Sequence, residues 1–134
     1  MIQSVFSHIG ITAKDPENLE KFYSTFFGFK RVRVYNAGPE QIVMLKKDNI
    51  YFEIFKATEN RPHPSIKETG PLYPSLRHLC FAVDNIEETL SHLKNIEITA
   101  GPKDLGHLIL GMRAVWIADP EGNIIELLQG YNDN

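Results

Sequence analysis

The chain carries the same short text twice. Ile50-Tyr51-Phe52-Glu53-Ile54-Phe55 aligns residue for residue with Asn123-Ile124-Ile125-Glu126-Leu127-Leu128 at an offset of 73. Ser7-His8-Ile9-Gly10-Ile11-Thr12-Ala13 aligns with Arg77-His78-Leu79-Cys80-Phe81-Ala82-Val83 at an offset of 70. An internal duplication restricts the fold to one plan built twice. In each copy a single Glu interrupts an apolar, strand-like run. Side chains alternate across a strand, so Glu53 shares a face with Tyr51 and Phe55, and Glu126 with Ile124 and Leu128. A carboxylate on so apolar a face is costly unless it is paired, hydrogen-bonded or bound to a metal. The other repeat obeys the same parity. Ile9, Ile11 and Ala13 form a greasy side suited to packing on a helix, as do Leu79, Phe81 and Val83. His8 and His78 lie on the opposite side, beside small or polar residues. A strand lining a cleft has this pattern.

Around these motifs both halves read strand, helix, strand, strand, strand. Strand Phe6–Ala13 precedes Asp15-Pro16, an N-cap followed by Pro at the first helical position. Leu19, Phe22, Tyr23 and Phe26 fall on one helix face, and Gly28 stops the helix. Strands follow around Phe29–Tyr35, Gln41–Leu45 and Ile50–Phe55. In the second half, strand His78–Val83 leads into a helix with Asn85 and Glu88 at capping-box spacing. Its stripe is Ile86, Leu90 and Leu93, and its stop is Asn95. Further strands are predicted near Ile96–Thr99, Arg113–Ala118 and Asn123–Leu128, with Asp119-Pro120-Glu121-Gly122 turning the last hairpin. Thr58–Ser75 holds four prolines and one glycine and reads as a linker. Gly101–Met112 reads as a loop over the cleft or as an irregular strand and hairpin.

Length and charge bound the rest. A chain of 134 residues is one compact unit by length. The net charge of −3 provides no basic footprint for nucleic acid. No apolar run approaches the roughly 20 residues of a membrane span, and no signal peptide is expected. One cysteine excludes an internal disulfide and fits a reducing compartment. The default expectation is a cytoplasmic protein.

The duplicated plan, with His at the start and Glu on the last strand of each half, resembles the vicinal oxygen chelate superfamily. That group includes glyoxalase I, methylmalonyl-CoA epimerase, extradiol dioxygenases, and fosfomycin and bleomycin resistance proteins. The likeness is carried by the strand with His8, by Phe22-Tyr23 through Gly28-Phe29, and by Asp119-Pro120-Glu121-Gly122-Asn123 followed by Glu126. It implies an α+β fold of two tandem βαβββ modules, forming a curved, cleft-lining sheet with helices outside. On this reading residues 1–134 are a single domain, with module one at about 1–57, a linker at about 58–75 and module two at about 76–134.

The resemblance also places the family's metal ligands on His8, Glu53, His78 and Glu126, a quartet similar to that of glyoxalase I (lactoylglutathione lyase). Two imidazoles and two carboxylates suit one divalent ion such as Ni, Co, Zn, Mn or Fe, with positions left for substrate. The implied reaction is proton transfer on a 1,2-dioxygenated, thiohemiacetal-like small molecule through a metal-bound enediolate. The base role falls to Glu126, with Glu53 the symmetric alternative. Where glyoxalase I has an Arg on the first strand, this chain has Thr12, which leaves the thiol open. Lys103 is a candidate substrate cation. Arg31, Arg33, Arg77 and Arg113 lie near strands, and parity does not place them. Other readings are a dioxygenase or epimerase of the same superfamily, or a non-catalytic module that sequesters a ligand. A homodimer is expected, with the ligands drawn from one chain or from two. Cys80 reads as a small buried hydrophobe, His92 as exposed and His107 as part of the loop over the cleft.

Overall fold

The structure, a computed structural model, describes residues 1–36 and 38–134. It is α+β, with the order strand, helix, strand, strand, strand realised twice, as the duplication predicts. Contacts divide the chain into two units, residues 1–62 and 63–134.

The first unit contains β1 (Ile9–Ala13), α1 (Pro16–Phe27), β2 (Lys30–Tyr35), β3 (Ile42–Lys47) and β4 (Ile50–Lys56), in sheet order β1-β4-β3-β2. Asp15 caps α1 by accepting from the Asn18 amide, Pro16 opens it, and Gly28 at φ 74 ends it in the left-handed region. The buried helix face is Leu19, Phe22, Tyr23 and Phe27. Phe26 is only half-buried, with its ring edge-on to Phe22 at 5.4 Å, so the predicted stripe is rotated by one position. This face covers Ile11, Ala13, Val43, Leu45, Phe52 and Ile54, and Phe29 stacks on Phe52 at 4.4 Å. Each buried residue of this size contributes about 1.5–3 kcal/mol. The opposite sheet face is left for His8, Glu53 and their neighbours. The pairing of β1 with β4 begins at Ile9 rather than at the predicted Phe6. His8 therefore sits at the mouth of the strand, where the chain leaves the sheet.

The second unit contains β5 (Leu79–Ala82), α2 (Ile86–His92), β6 (Ile98–Asp104), β7 (Arg113–Ala118) and β8 (Ile124–Gln129), in sheet order β5-β8-β7-β6. Asn85 caps α2 through the Glu88 amide. The helix closes at Leu93, and Asn95 makes the following turn at φ 58. Ile86 of α2 and Val115, Ile117, Ile125 and Leu127 of the sheet are fully buried. On the other sheet face, Ala114, Trp116 and Ile124 form a second cluster under Ile66, Ala100, Leu105 and Leu128. The last hairpin turns on Asp119, which accepts from the amides of Glu121 and Asn123 and from the Asn123 side chain.

β6 runs on past the predicted Thr99 through Gly101-Pro102 to Asp104, so the first part of residues 101–112 takes the irregular-strand alternative rather than the loop. Proline survives there because β6 is the edge strand and its register slips between Ala100 and Lys103. Only residues 105–112 remain as a loop.

Candidate functional site

Each unit brings one His–Glu pair together. In the first, His8 stands just ahead of β1 and Glu53 lies in the neighbouring β4, with Nε2 and Oε1 3.6 Å apart. In the second, His78 stands just ahead of β5 and Glu126 lies in β8, with Nε2 and Oε2 2.6 Å apart. Parallel pairing of the first and last strands of each module produces this result. Gly10 is the register partner of Glu53, and Cys80 that of Glu126, so the His two residues earlier stands diagonally beside the Glu on one face. The second pair is tighter and less exposed, at 20% and 14% for the His78 and Glu126 side chains against 35% and 20% for His8 and Glu53.

The hydrogen bonds on the far side of each imidazole decide what the near side offers. Nδ1 of His78 lies 2.8 Å from the Thr69 carbonyl oxygen. A carbonyl only accepts, so Nδ1 carries a proton and donates it. In the neutral ring Nε2 then presents a lone pair to a carboxylate oxygen that also has only lone pairs. Two acceptors 2.6 Å apart repel unless a cation lies between them. A proton would serve, and so would a metal ion. Cis ligands held at about 2.1 Å from an ion stand about 3 Å apart, a value that the 2.6 and 3.6 Å separations bracket. Each pair by itself is therefore spaced as two donors to one divalent ion could be. Among the described residues no three His, Cys, Asp or Glu side chains gather as a single metal-holding group.

The segment holding His78 is itself tied down. Arg77 donates to the Pro71 carbonyl and to the Thr69 hydroxyl, which wraps residues 69–71 around the start of β5. Gly70 has φ +127, and a Cβ there would stand 2.3 Å from the Arg77 carbonyl oxygen. Only glycine fits.

Each pair sits in a row across its sheet. In the first unit the row is Gly10, Glu53, Met44 and Arg33, and in the second it is Cys80, Glu126, Trp116 and Ala100. Cys80 is exposed rather than the buried hydrophobe that the sequence suggests. Partial desolvation, and then the charge of Glu126, push its thiol up to about 11, so it remains protonated near neutrality. Arg31 and Arg33 would share a face by simple alternation, but a register shift between them separates the two. Arg31 is bound to Glu20 of α1, while Arg33 lines a cleft of about 520 Å³ together with Phe6, His8, Tyr35, Met44 and Tyr51. Arg113 is bound to Glu87 of α2. Of Arg31, Arg33, Arg77 and Arg113, only Arg33 lines the cleft without a partner among the described residues. Lys103 lies with its Nζ 5.5 Å from the Trp116 ring centroid. His63, His92 and His107 are exposed. Sequence parity could not find Arg33, because the bulge reverses it, nor Thr69, which acts through its main chain. Trp116 was legible as the register neighbour of Glu126 once the last hairpin was drawn.

The family model described as Glyoxalase/Bleomycin resistance protein/Dioxygenase superfamily matches residues 5–127. A glyoxalase family protein from Enterococcus faecalis is 28% identical, with 96% of this chain and 100% of that one covered at a TM-score of 0.74. The fosfomycin resistance protein FosX from Listeria monocytogenes, solved with Mn(II) and sulfate, shares the fold at 14% identity, with 97% and 95% covered and a TM-score of 0.68. FosX from Mesorhizobium loti does so at 15% identity, with 98% and 94% covered and a TM-score of 0.66. Curated protein sequences gave no match. The family match spans nearly the whole chain, which thus belongs to the Glyoxalase/Bleomycin resistance protein/Dioxygenase superfamily.

Proposed function

We propose that the protein is a divalent-metal enzyme that moves a proton between adjacent carbons of a small 1,2-dioxygenated substrate, a lyase or isomerase of the glyoxalase type. One observation carries this reading. The His78 ring is held so that its free nitrogen faces the Glu126 carboxylate at 2.6 Å, an arrangement satisfied by a proton or a metal ion between them, and the metal-dependent family favours the ion. His8, Glu53, His78 and Glu126 would hold one ion of the Ni, Co, Zn, Mn or Fe group, and the working form is a homodimer. The Mn(II) in the Listeria FosX structure supports the ion class. A bound ion supplies Lewis acidity that lowers the cost of negative charge on substrate oxygens. The chain does the rest. Glu126 takes the proton from one carbon and returns it to the next, with Glu53 as the symmetric alternative. The apolar residues flanking each Glu, Tyr51 and Phe55 in one strand and Ile124 and Leu128 in the other, thin the water around the carboxylate. Thr69 holds the His78 ring through its carbonyl oxygen.

The test is metal content per chain after stripping and reloading, followed by thiohemiacetal isomerase and epimerase assays. The expected result is one ion per chain, lost in His78→Ala. Of Glu126→Gln and Glu53→Gln, the variant that retains the ion while turnover falls by at least a hundredfold identifies the base. Absence of metal after reloading would overturn the reading and leave a ligand-sequestering module.

A further inference from the structure

The Trp116 indole nitrogen is buried and has no hydrogen-bond partner among the described residues. The side chain is 7% exposed, so water does not reach it freely. An unmade hydrogen bond of this kind is costly, and native structures rarely keep one without a use. Its surroundings explain why no protein group answers it. Ala100 faces Trp116 on one side in the sheet, and the residues packed on its cluster are Ile66, Ala100, Leu105 and Leu128, none with a polar side chain. Glu126, its register partner on the other side, is turned to His78. Over the same ring stands the Lys103 ammonium, brought to this face by the slip at Gly101-Pro102.

An N–H donor and an ammonium therefore share one ring next to the Glu126 register position, neither with a hydrogen-bond acceptor among the described residues. We infer that Trp116 Nε1–H and Lys103 form an oxyanion subsite adjoining Glu126, the indole donating to one oxygen of a ligand carboxylate or phosphonate and Lys103 supplying the charge. Register partners have Cβ atoms about 5 Å apart, so an oxygen on the indole nitrogen belongs to a ligand small enough to reach the Glu126 carboxylate as well. The inference deepens the proposed function by naming the substrate as an anion, and it rests on that reading only for turnover.

The chain has one tryptophan, so its indole resonance in a ¹H–¹⁵N spectrum reports on this atom alone. The probes are glycolate and methylphosphonate, titrated into metal-free and zinc-loaded protein with sodium chloride as the control. The expected result is a saturable downfield shift of the indole proton with either anion and none with chloride. Affinity should fall about tenfold in Trp116→Phe and in Lys103→Met, with metal content unchanged in both. An indole proton unmoved by saturating anion, or moved equally by chloride, would overturn the subsite even if the metal reading held. If zinc fails to bind yet the indole still responds, the subsite stands and the metal reading falls.

Discussion

At His78 the tautomer is fixed by a main-chain oxygen, so side-chain and backbone changes at the strap should separate cleanly. Thr69→Val removes only the hydroxyl that Arg77 contacts and keeps the carbonyl. Its metal affinity should stay within about threefold of the parent, since only that peripheral bond is lost. Gly70→Ala places a Cβ against the Arg77 carbonyl at a backbone angle alanine rarely adopts. Strain of this kind costs about 1–3 kcal/mol, and a displaced outer-shell carbonyl weakens metal binding by about 10–100-fold. Thermal unfolding and competitive chelation measure the two effects. A second contrast lies in β2. Arg33→Met should leave the melting temperature unchanged and raise KM for a negatively charged substrate. Arg31→Met should leave KM alone and cost less than about 1 kcal/mol through loss of the exposed Glu20 pair. Equal effects from the two variants would contradict the face assignment.

Among the elements, the caps and turns were legible because their chemistry is local. Asp15-Pro16, Asn85 and Asp119-Pro120-Glu121-Gly122 sit where their hydrogen bonds require. Asp119 is 4% exposed and accepts from two amides and a side-chain amide, so Asp119→Ala should cost about 2–3 kcal/mol in urea unfolding. The faces of His8, Glu53, His78 and Glu126 were legible for a different reason, since parity along a strand is reliable wherever the ladder is regular, while their grouping came from the family resemblance. It fails at slips. The slip in β2 parts Arg31 from Arg33, and the slip in β6 carries Lys103 onto the Trp116 face. Nothing in Arg31-Val32-Arg33 announces the extra residue, because a bulge is set by the partner strand and by what each face must bury. The end of α2 was missed by two residues for a similar reason, since Asn95 serves as the turn after the helix rather than as its stop.

For the whole molecule, apolar residues stay exposed along the N-terminal segment, at Met1, Ile2, Val5 and Phe6, and along β2, at Val32, Val34 and Tyr35. Exposed apolar stretches of this extent mark association surfaces. Light scattering should give twice the 15.3 kDa chain mass, and Val5→Glu with Val34→Glu should lower it. Metal occupancy should appear in stability too. At an ion concentration 100 times the dissociation constant, binding adds about 2.7 kcal/mol, so chelation should lower the melting temperature by several degrees. The two His–Glu pairs stand on separate sheets, each sheet with its own helix and its own core. Evolution, or a designer, can therefore rewrite the donor atoms of one sheet while the other holds still. In the proposed site, a Gln in place of Glu53 would alter the charge around the ion through a change confined to the β1-β4-β3-β2 sheet. A protein organised in this way can change its chemistry by halves.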